Sequence, residues 1–315
     1  MTLASEEGFL QFIDRFFSRE SSHLLVGRGD DCAVIACQED LCLTSDLFLE
    51  DVHFRRSYFS AADIGYKALA VNISDIAAMG AKPLGFTLNL MIPEGLTESF
   101  WSDFFHGMSR LATEHGLVLA GGDLSRSSLL GIDVAMWGQS RGRYLQRQRC
   151  QPGDLLFLIG EIGLARVGLS VLEGGADPEA FPQAVSAHLR PPLHCGPAEA
   201  LGRNDRVKGL MDVSDGLARD LPRFLGVGRG ASLSFEPGTI HEEVSRFCRE
   251  RGFSSQEFAF LGGEDYALLG AAPKEAWKEV LAAAPGARHI GMVTEEPGIL
   301  LSGRPVSEQG FDHFG

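Results

Sequence analysis

The chain has 315 residues, 44 % of them hydrophobic, and a formal net charge of −14. That length suits roughly two domains, and that apolar share supports sizeable cores rather than disorder. The acidic balance argues against a nucleic-acid partner; no stretch nears the ~18–20 continuous apolar residues of a membrane span, no signal peptide is evident, and the cytoplasm is the expected location.

The first predicted element is a helix over Ser5 to Arg19, where Phe9, Phe12, Ile13, Phe16 and Phe17 recur at helical spacing and Ser5 can cap the start. Two strand-like runs follow, "DCAVIAC" and "LCLTSD", and the "QED" between them suggests a hairpin. Residues 61 to 81 read as a long helix with Ile64, Ala68, Val71 and Asp75 on one stripe. "KPLGFTLNLMIP" is a strand ended by Pro93, a helix covers roughly 97 to 115, and "LVLAGGD" and "IDVAMWGQS" are further strands. The basic run "SRGRYLQRQR" and "QPGD" mark a domain junction, which predicts domains over 1–142 and 143–315. Beyond it, "LLFLIG" opens a new strand set, "GLMDVSDGLARDLPRFL" is a strand breaking into a helix, and "FAFLGGEDYALLGAA" and "ARHIGMVT" supply more strands. Hairpins mixed with helices favour an α+β fold over a doubly wound parallel sheet. The six cysteines form no CxxC pair, so zinc-ribbon and thioredoxin chemistry find no support.

Four stretches share one pattern, an apolar run ending in small residues and aspartate. They are "GRGDDCAVI" (Asp30, Asp31), "LCLTSD" (Asp46), "LVLAGGD" (Asp123) and "GLMDVSD" (Asp212, Asp215), and the long helix adds Asp75. Any one such aspartate is most often a turn former or helix cap, as Asp215 could be for the helix after it. Gathered at the rims of strands, they would repel one another and push their own pKa values up. Mg²⁺ resolves that conflict, because it takes carboxylate, hydroxyl and water oxygens and completes its shell with phosphates. Glycine pairs precede Asp123 (Gly121, Gly122) and Glu264 (Gly262, Gly263), where backbone N–H groups can approach phosphate oxygens. Walker, kinase and GxSxG signatures are absent, and no nucleophile–base pair is evident.

Six pieces, "GRGDDCAVI", "TSDLFLEDVHF", "GYKALAVNISDIAAMGAKPLGFTLNLMIP", "LAGGDLSRS", "MDVSDGLARDL" and "LGGEDYALL", occur in order between residues 27 and 269. Together with the tail "GFDHF" they resemble the thiamine-monophosphate kinases, within the superfamily related to aminoimidazole ribonucleotide synthetase. The resemblance implies a two-domain α+β subunit, a homodimer joined through N-terminal sheets, and ATP-dependent phosphorylation of thiamine monophosphate to thiamine diphosphate. Carried over motif by motif, it implies that Asp30, Thr44, Ser45, Asp46, Asp75, Asp123, Asp212 and Asp215 hold several Mg²⁺ ions. It further implies that Phe105, Gly121, Gly122, Arg147 and Ser214 contact ATP, and that His53, Glu264 and Phe311 face thiamine monophosphate. The run "RQRCQPGD" departs from the family's Arg-x-Gly-Ala before Pro-Gly-Asp, although Arg147 keeps the spacing. Two alternatives stay open: another ATP-using enzyme of the superfamily, and a non-catalytic nucleotide-binding relative.

Overall fold

The computed structural model describes residues 6–17, 21–26, 34–37, 40–140 and 143–306. The chain divides into two compact units, one of residues 1–76 and 82–140, the other of 77–81 and 141–315. The expected Ser5 cap, Asp30, Asp31 and Phe311 lie outside the described residues.

The first unit runs α1 (Glu6–Asp14), β1 (Leu24–Val26), β2 (Val34–Ile35), β3 (Leu41–Leu49), α2 (Ala61–Ala78), β4 (Lys82–Ile92), α3 (Glu98–His115), β5 (Val118–Arg126) and β6 (Gly131–Gln139). Among the described residues β3, β6, β4 and β5 form a sheet in that order, antiparallel except for the β4–β5 pair. That parallel pair needs a crossover, and α3 supplies it. Thr97 caps α3 by accepting the Phe100 N–H at 3.1 Å, and Gly116 ends the helix in the left-handed region at φ 72°. Among the described residues the expected hairpin is not formed: β2 pairs with β1, and β3 pairs with β6 along its whole length. Leu24 of β1 and Ile35 of β2 pack instead on Val118, Ala120 and Trp137, so contact with a preformed sheet face outweighs the short connection.

Helix α2 is buried on more than the one stripe expected of it. Ile64, Leu69, Ala70, Asn72, Ile73 and Ile76 are all buried, so apolar residues surround most of the helix and the amphipathic signal is weak. Asp75 is one of its few partly exposed positions.

The second unit runs β7 (Leu155–Ile159), α4 (Leu164–Ser170), α5 (Pro182–Leu189), α6 (Cys195–Gly202), β8 (Gly209–Val213), α7 (Leu217–Leu225) and β9 (Gly230–Leu233). It continues with α8 (Glu242–Arg251), α9 (Ser255–Phe260), β10 (Ala267–Ala272), α10 (Trp277–Ala283), β11 (Arg288–Thr294), β12 (Gly298–Leu301) and β13 (Arg304–Pro305). Its described strands form one sheet in the order β13-β12-β9-β11-β7-β10-β8, antiparallel except between β9 and β12. Strands β7, β8 and β10 are buried at every position, which explains why they read as unbroken apolar runs. A core including Leu158, Met211, Leu221 and Phe224 links the sheet to α7, and a smaller cluster including Val167, Ala184 and Phe247 joins α4, α5 and α8.

The junction run is anchored to protein. Arg143 donates to the carbonyls of Asn204 and Val207 at 2.9 and 2.8 Å, and Arg149 donates to Gln146. No described helix is long and apolar enough to cross a membrane.

Candidate active site

The pleat of β3 sorts the Thr-Ser-Asp run. Alternate residues point to opposite faces, and exposure along the strand alternates to match. Thr44 lies on the face that meets α2: its hydroxyl donates to Asp75 Oδ2 at 2.5 Å. Asp46 shares that face. Its carboxyl is pushed up to about 7, first by burial, then by the charge and hydrogen bonding of Asp75, with Asp133 adding to the charge. Ser45 goes to the other face and donates to Asp133 Oδ1 at 3.0 Å, while Asn89 donates to Asp133 Oδ2 at 2.7 Å.

Asp133 and Asn89 were not singled out in the sequence. Their signal is a polar residue interrupting an apolar strand, in "IDVAMW" and "TLNLMI". Register makes them matter: Asp133 is opposite Asn89, and Asn89 is opposite Asp123, so the three form a row across β6, β4 and β5. Asp123 is exposed, with the Ser125 hydroxyl 3.5 Å from its carboxylate. The preceding glycines differ. Space around Gly121 is open, whereas a Cβ on Gly122 would fall 1.8 Å from the Leu88 carbonyl oxygen, so Gly122 is required by strand packing itself.

His53 follows β3 in a turn. Its Nδ1 accepts the Leu49 N–H at 3.0 Å and its ring stacks on Phe48, which places the proton of the neutral ring on Nε2. Phe105 requires a correction. Its ring is fully buried, with Phe9, Phe12, Phe16, Phe17, Trp101 and Phe104 at centroid distances of 5.1–6.2 Å. It belongs to the aromatic core of the first unit and offers no open face for stacking.

In the second unit, Asp212 is buried on β8 and Ser214 and Asp215 lie just past its end. Asp215 does not cap α7; Gly216 occupies that position without a side-chain cap. Its carboxylate accepts from Arg223 at 2.6 Å, and Arg223 also donates to Asp220 at 3.2 Å. Asp220, fully buried, accepts the Asp215 N–H at 2.9 Å. Burial and then Asp215 push the Asp220 carboxyl up to about 6, against the opposing pull of that N–H, Arg223 and Arg147. Arg147, expected at the nucleotide, therefore lies within electrostatic reach of this loop, and its own side chain is exposed.

The 261–266 loop is fastened to the 213–216 loop. The Glu264 N–H donates to Ser214 O at 2.7 Å and the Tyr266 N–H to Val213 O at 2.9 Å. The intervening glycines make this possible, since a Cβ on Gly216 would lie 2.5 Å from Gly262 O and one on Gly263 would lie 2.9 Å from Ser214 O. Glu264 has φ 62°, an uncommon value for a non-glycine residue. Asp265 turns inward, accepting the N–H groups of Gly163 and Ala165 at 2.6 and 2.9 Å and so capping α4 from outside its own segment. Burial still pushes the Asp265 carboxyl up to about 7.

Whether these residues suit Mg²⁺ is a question of donor chemistry. Among the described residues, no three His, Cys, Asp or Glu side chains form a complete metal-binding group. Mg²⁺ does not need one, since it is commonly bound through one or two carboxylates with waters and substrate phosphates. Asp46, Asp75 and Thr44 supply hard oxygens in a group that is self-repelling without a cation. Beside them on α2, the buried Asn72 Oδ1 meets no hydrogen-bond donor among the described residues. The residues fit the ion.

Two family models match, "AIR synthase related protein, N-terminal domain" over residues 29–139 and "AIR synthase related protein, C-terminal domain" over residues 151–302. A thiamine-monophosphate kinase of Aquifex aeolicus is 34 % identical over 298 residues, covering 91 % of this chain and 92 % of its own. The chain belongs to the thiamine-monophosphate kinase family. The thiamine-monophosphate kinase of Bacillus subtilis is 35 % identical, with 92 % of this chain and 93 % of its own covered. Among solved structures, "AaThiL complexed with AMPPCP and TMP" matches with TM-score 0.80 and 32 % identity, covering 100 % of this chain and 99 % of its own. The mixed α+β architecture is thus that of the thiamine-monophosphate kinase family.

Proposed function

We propose that the protein transfers the γ-phosphoryl group of ATP to thiamine monophosphate, giving thiamine diphosphate, as a cytoplasmic homodimer that uses several Mg²⁺ ions. The observation that carries this reading is the Asp46–Asp75 pair, two carboxylates forced together with a hydroxyl, in a chain with family relatives over nine-tenths of its length. A relative's structure holds both an ATP analogue and TMP. Leu41, Leu43 and Leu47, on the exposed face of edge strand β3, suit a subunit contact through the first unit's sheet.

The acceptor oxygen of a phosphate monoester, with a second pKa near ~6, is already largely deprotonated at neutral pH, so the reaction needs no general base. The obstacle is charge: two anions must approach. Mg²⁺ would supply charge neutralisation and alignment of the phosphates. In the first unit, Asp46, Asp75, Thr44, Ser45 and Asp123 would hold it; in the second, Asp212 and Asp215 would hold it, and Arg147 and Ser214 would contact ATP. His53 presents Nε2–H as a donor to the substrate phosphate. The Glu264 carboxylate receives the aminopyrimidine donors of thiamine.

Purified protein incubated with ATP, Mg²⁺ and thiamine monophosphate should form thiamine diphosphate, and Asp75→Asn should abolish turnover with little change in thermal unfolding. Absence of product from folded wild-type protein, or full turnover by Asp75→Asn at limiting Mg²⁺, would refute the reading.

A further inference from the structure

His188 is a buried polar side chain with no part in the scheme above. It lies in the last turn of α5, and its Nδ1 is 3.3 Å from Glu264 Oε2. Its side chain is 2 % exposed, against 30 % for Glu264, so the contact joins an interior ring to a carboxylate that reaches solvent.

The support on which the ring sits is rigid. Helix α5 crosses α4 at Gly168, where a Cβ would lie 2.1 Å from Ala184 O and 2.8 Å from His188 Cβ. The start of α5 is held by Glu243, which accepts the N–H groups of Gln183 and Ala184 at 3.2 and 2.8 Å. The carboxylate is constrained from its other side as well. Its backbone has φ 62° and is tied through its N–H to Ser214, and the next residue, Asp265, is anchored under α4. A non-glycine residue in that conformation persists only where its surroundings over-determine it, and such residues cluster at functional sites.

We infer that His188 is a positioning residue for thiamine monophosphate: its Nδ1, within contact distance of one oxygen of Glu264 but not aligned as a hydrogen bond, comes into line and donates to that oxygen in the substrate complex, so that the other is presented to the aminopyrimidine. The inference rests on the proposed role of Glu264 as the thiamine-binding carboxylate. A carboxylate whose partner already stands within contact distance loses less rotamer freedom on binding, so the gain appears in substrate affinity rather than in turnover. Glu264 touches the substrate; His188 acts through it.

The test is steady-state kinetics of the full chain with ATP, Mg²⁺ and thiamine monophosphate. His188→Leu should raise KM for thiamine monophosphate about tenfold, the scale of a hydrogen bond to a charged group, and leave KM for ATP within about twofold. His188→Asn keeps a donor where Nδ1 stood and should recover most of the loss, whereas His188→Gln, whose amide falls at the Nε2 position, should not. In a Glu264→Ala background, His188→Leu should add nothing. Equal rises in both KM values, failure of the Asn variant to recover, or an undiminished His188→Leu effect in the Glu264→Ala background would overturn the inference. If His188→Leu fails to fold, a Gln variant with wild-type KM for thiamine monophosphate overturns it equally. Glu264→Ala separates the two layers. If it raises KM for thiamine monophosphate while the His188 variants do not, only the inference fails; if it leaves that KM unchanged, the reading of Glu264 fails and takes the inference with it.

Discussion

The two units carry acidic groups that burial raises in both cases but whose charged neighbours differ. In the first, Asp46 faces Asp75 and feels Asp133, and its carboxyl is driven up to about 7. In the second, Asp215 and Asp220 share Arg223, and Arg147 adds positive charge. Asp46 lies inside β3 and Asp75 on α2, whereas Asp215 follows β8 and Asp220 lies on α7. The difference is that burial, Asp75 and Asp133 all raise the Asp46 carboxyl, whereas Arg223 and Arg147 offset part of the rise at Asp220. A donor set left self-repelling is disposed to bind a divalent ion, whereas a set already bridged by arginine must exchange or share that partner.

The sharpest way to break this comparison is at Asp46. Asp46→Asn should reduce turnover by about a thousandfold or more, because a charged donor to the ion is lost where phosphoryl transfer depends on electrostatic stabilisation. The same variant should be more stable than wild type when metal is removed. The sign follows from linkage: the folded pKa is about 7, above the ordinary 3.8, so the native state retains a proton that the unfolded chain has released. That contribution is full below about pH 4 and is lost as pH rises through about 7. Metal-free wild type should therefore lose several degrees of Tm between roughly pH 5 and 8, Asp46→Asn should flatten that slope, and saturating Mg²⁺ should remove it. A metal-free wild-type protein whose Tm is flat over this range would show that Asp46 and Asp75 do not oppose each other.

Arg223 tests the second set, with a smaller effect. Arg223→Gln leaves the buried Asp220 without its cationic partner while Asp215 N–H still donates to it. A loss of about 2 kcal/mol is expected in urea unfolding near pH 8, reduced from the buried-pair value because Arg223 itself is 44 % exposed. Asp220 titrates at about 6, so the deficit should shrink as pH falls through that value and Asp220 takes up its proton. A deficit that does not vary with pH would mean that Arg223 contributes packing rather than charge.

Much of this was legible before any coordinates. The aspartates stood out because small residues and a carboxylate closing an apolar run are a local pattern, but the strand end expected at Asp46 and Asp123 is not there: β3 runs on to Leu49 and β5 to Arg126. Long helices α2 and α3 and strands β4, β5 and β6 followed from their length and bounding residues. What could not be read was pairing. The "QED" connection suggested a hairpin, but among the described residues β2 pairs with the preceding β1 and β3 with the distant β6. The row Asp133–Asn89–Asp123 exists only through register, and a single-residue slip would send each side chain to the opposite face. Phe105 was misplaced for a related reason: an aromatic ring has the same composition in a core as at a nucleotide, and only its neighbours decide. Arg223 was missed because a basic residue two turns into a helix looks like surface, although the second turn of α7 carries it back over the loop that precedes the helix.

The smallest expected effect probes the pleat itself. Thr44 and Ser45 are neighbours of similar chemistry, and the resemblance treats them alike, yet they donate to different carboxylates on opposite faces of β3. Thr44→Val removes the hydroxyl that Asp75 accepts at 2.5 Å and leaves Asp75 beside Asp46 without that donor, so kcat/KM should fall about tenfold. Ser45→Ala removes a donor from Asp133, but Asn89 still holds the other oxygen at 2.7 Å, and the loss should stay within about threefold. Measured side by side with the Mg²⁺ concentration varied, Thr44→Val should also shift the concentration needed for half-maximal rate, and Ser45→Ala should not. Equal penalties would mean that the ion is reached from both faces of the strand, and the Ser45–Asp133–Asn89 group would then belong to the same donor set as Asp46 and Asp75.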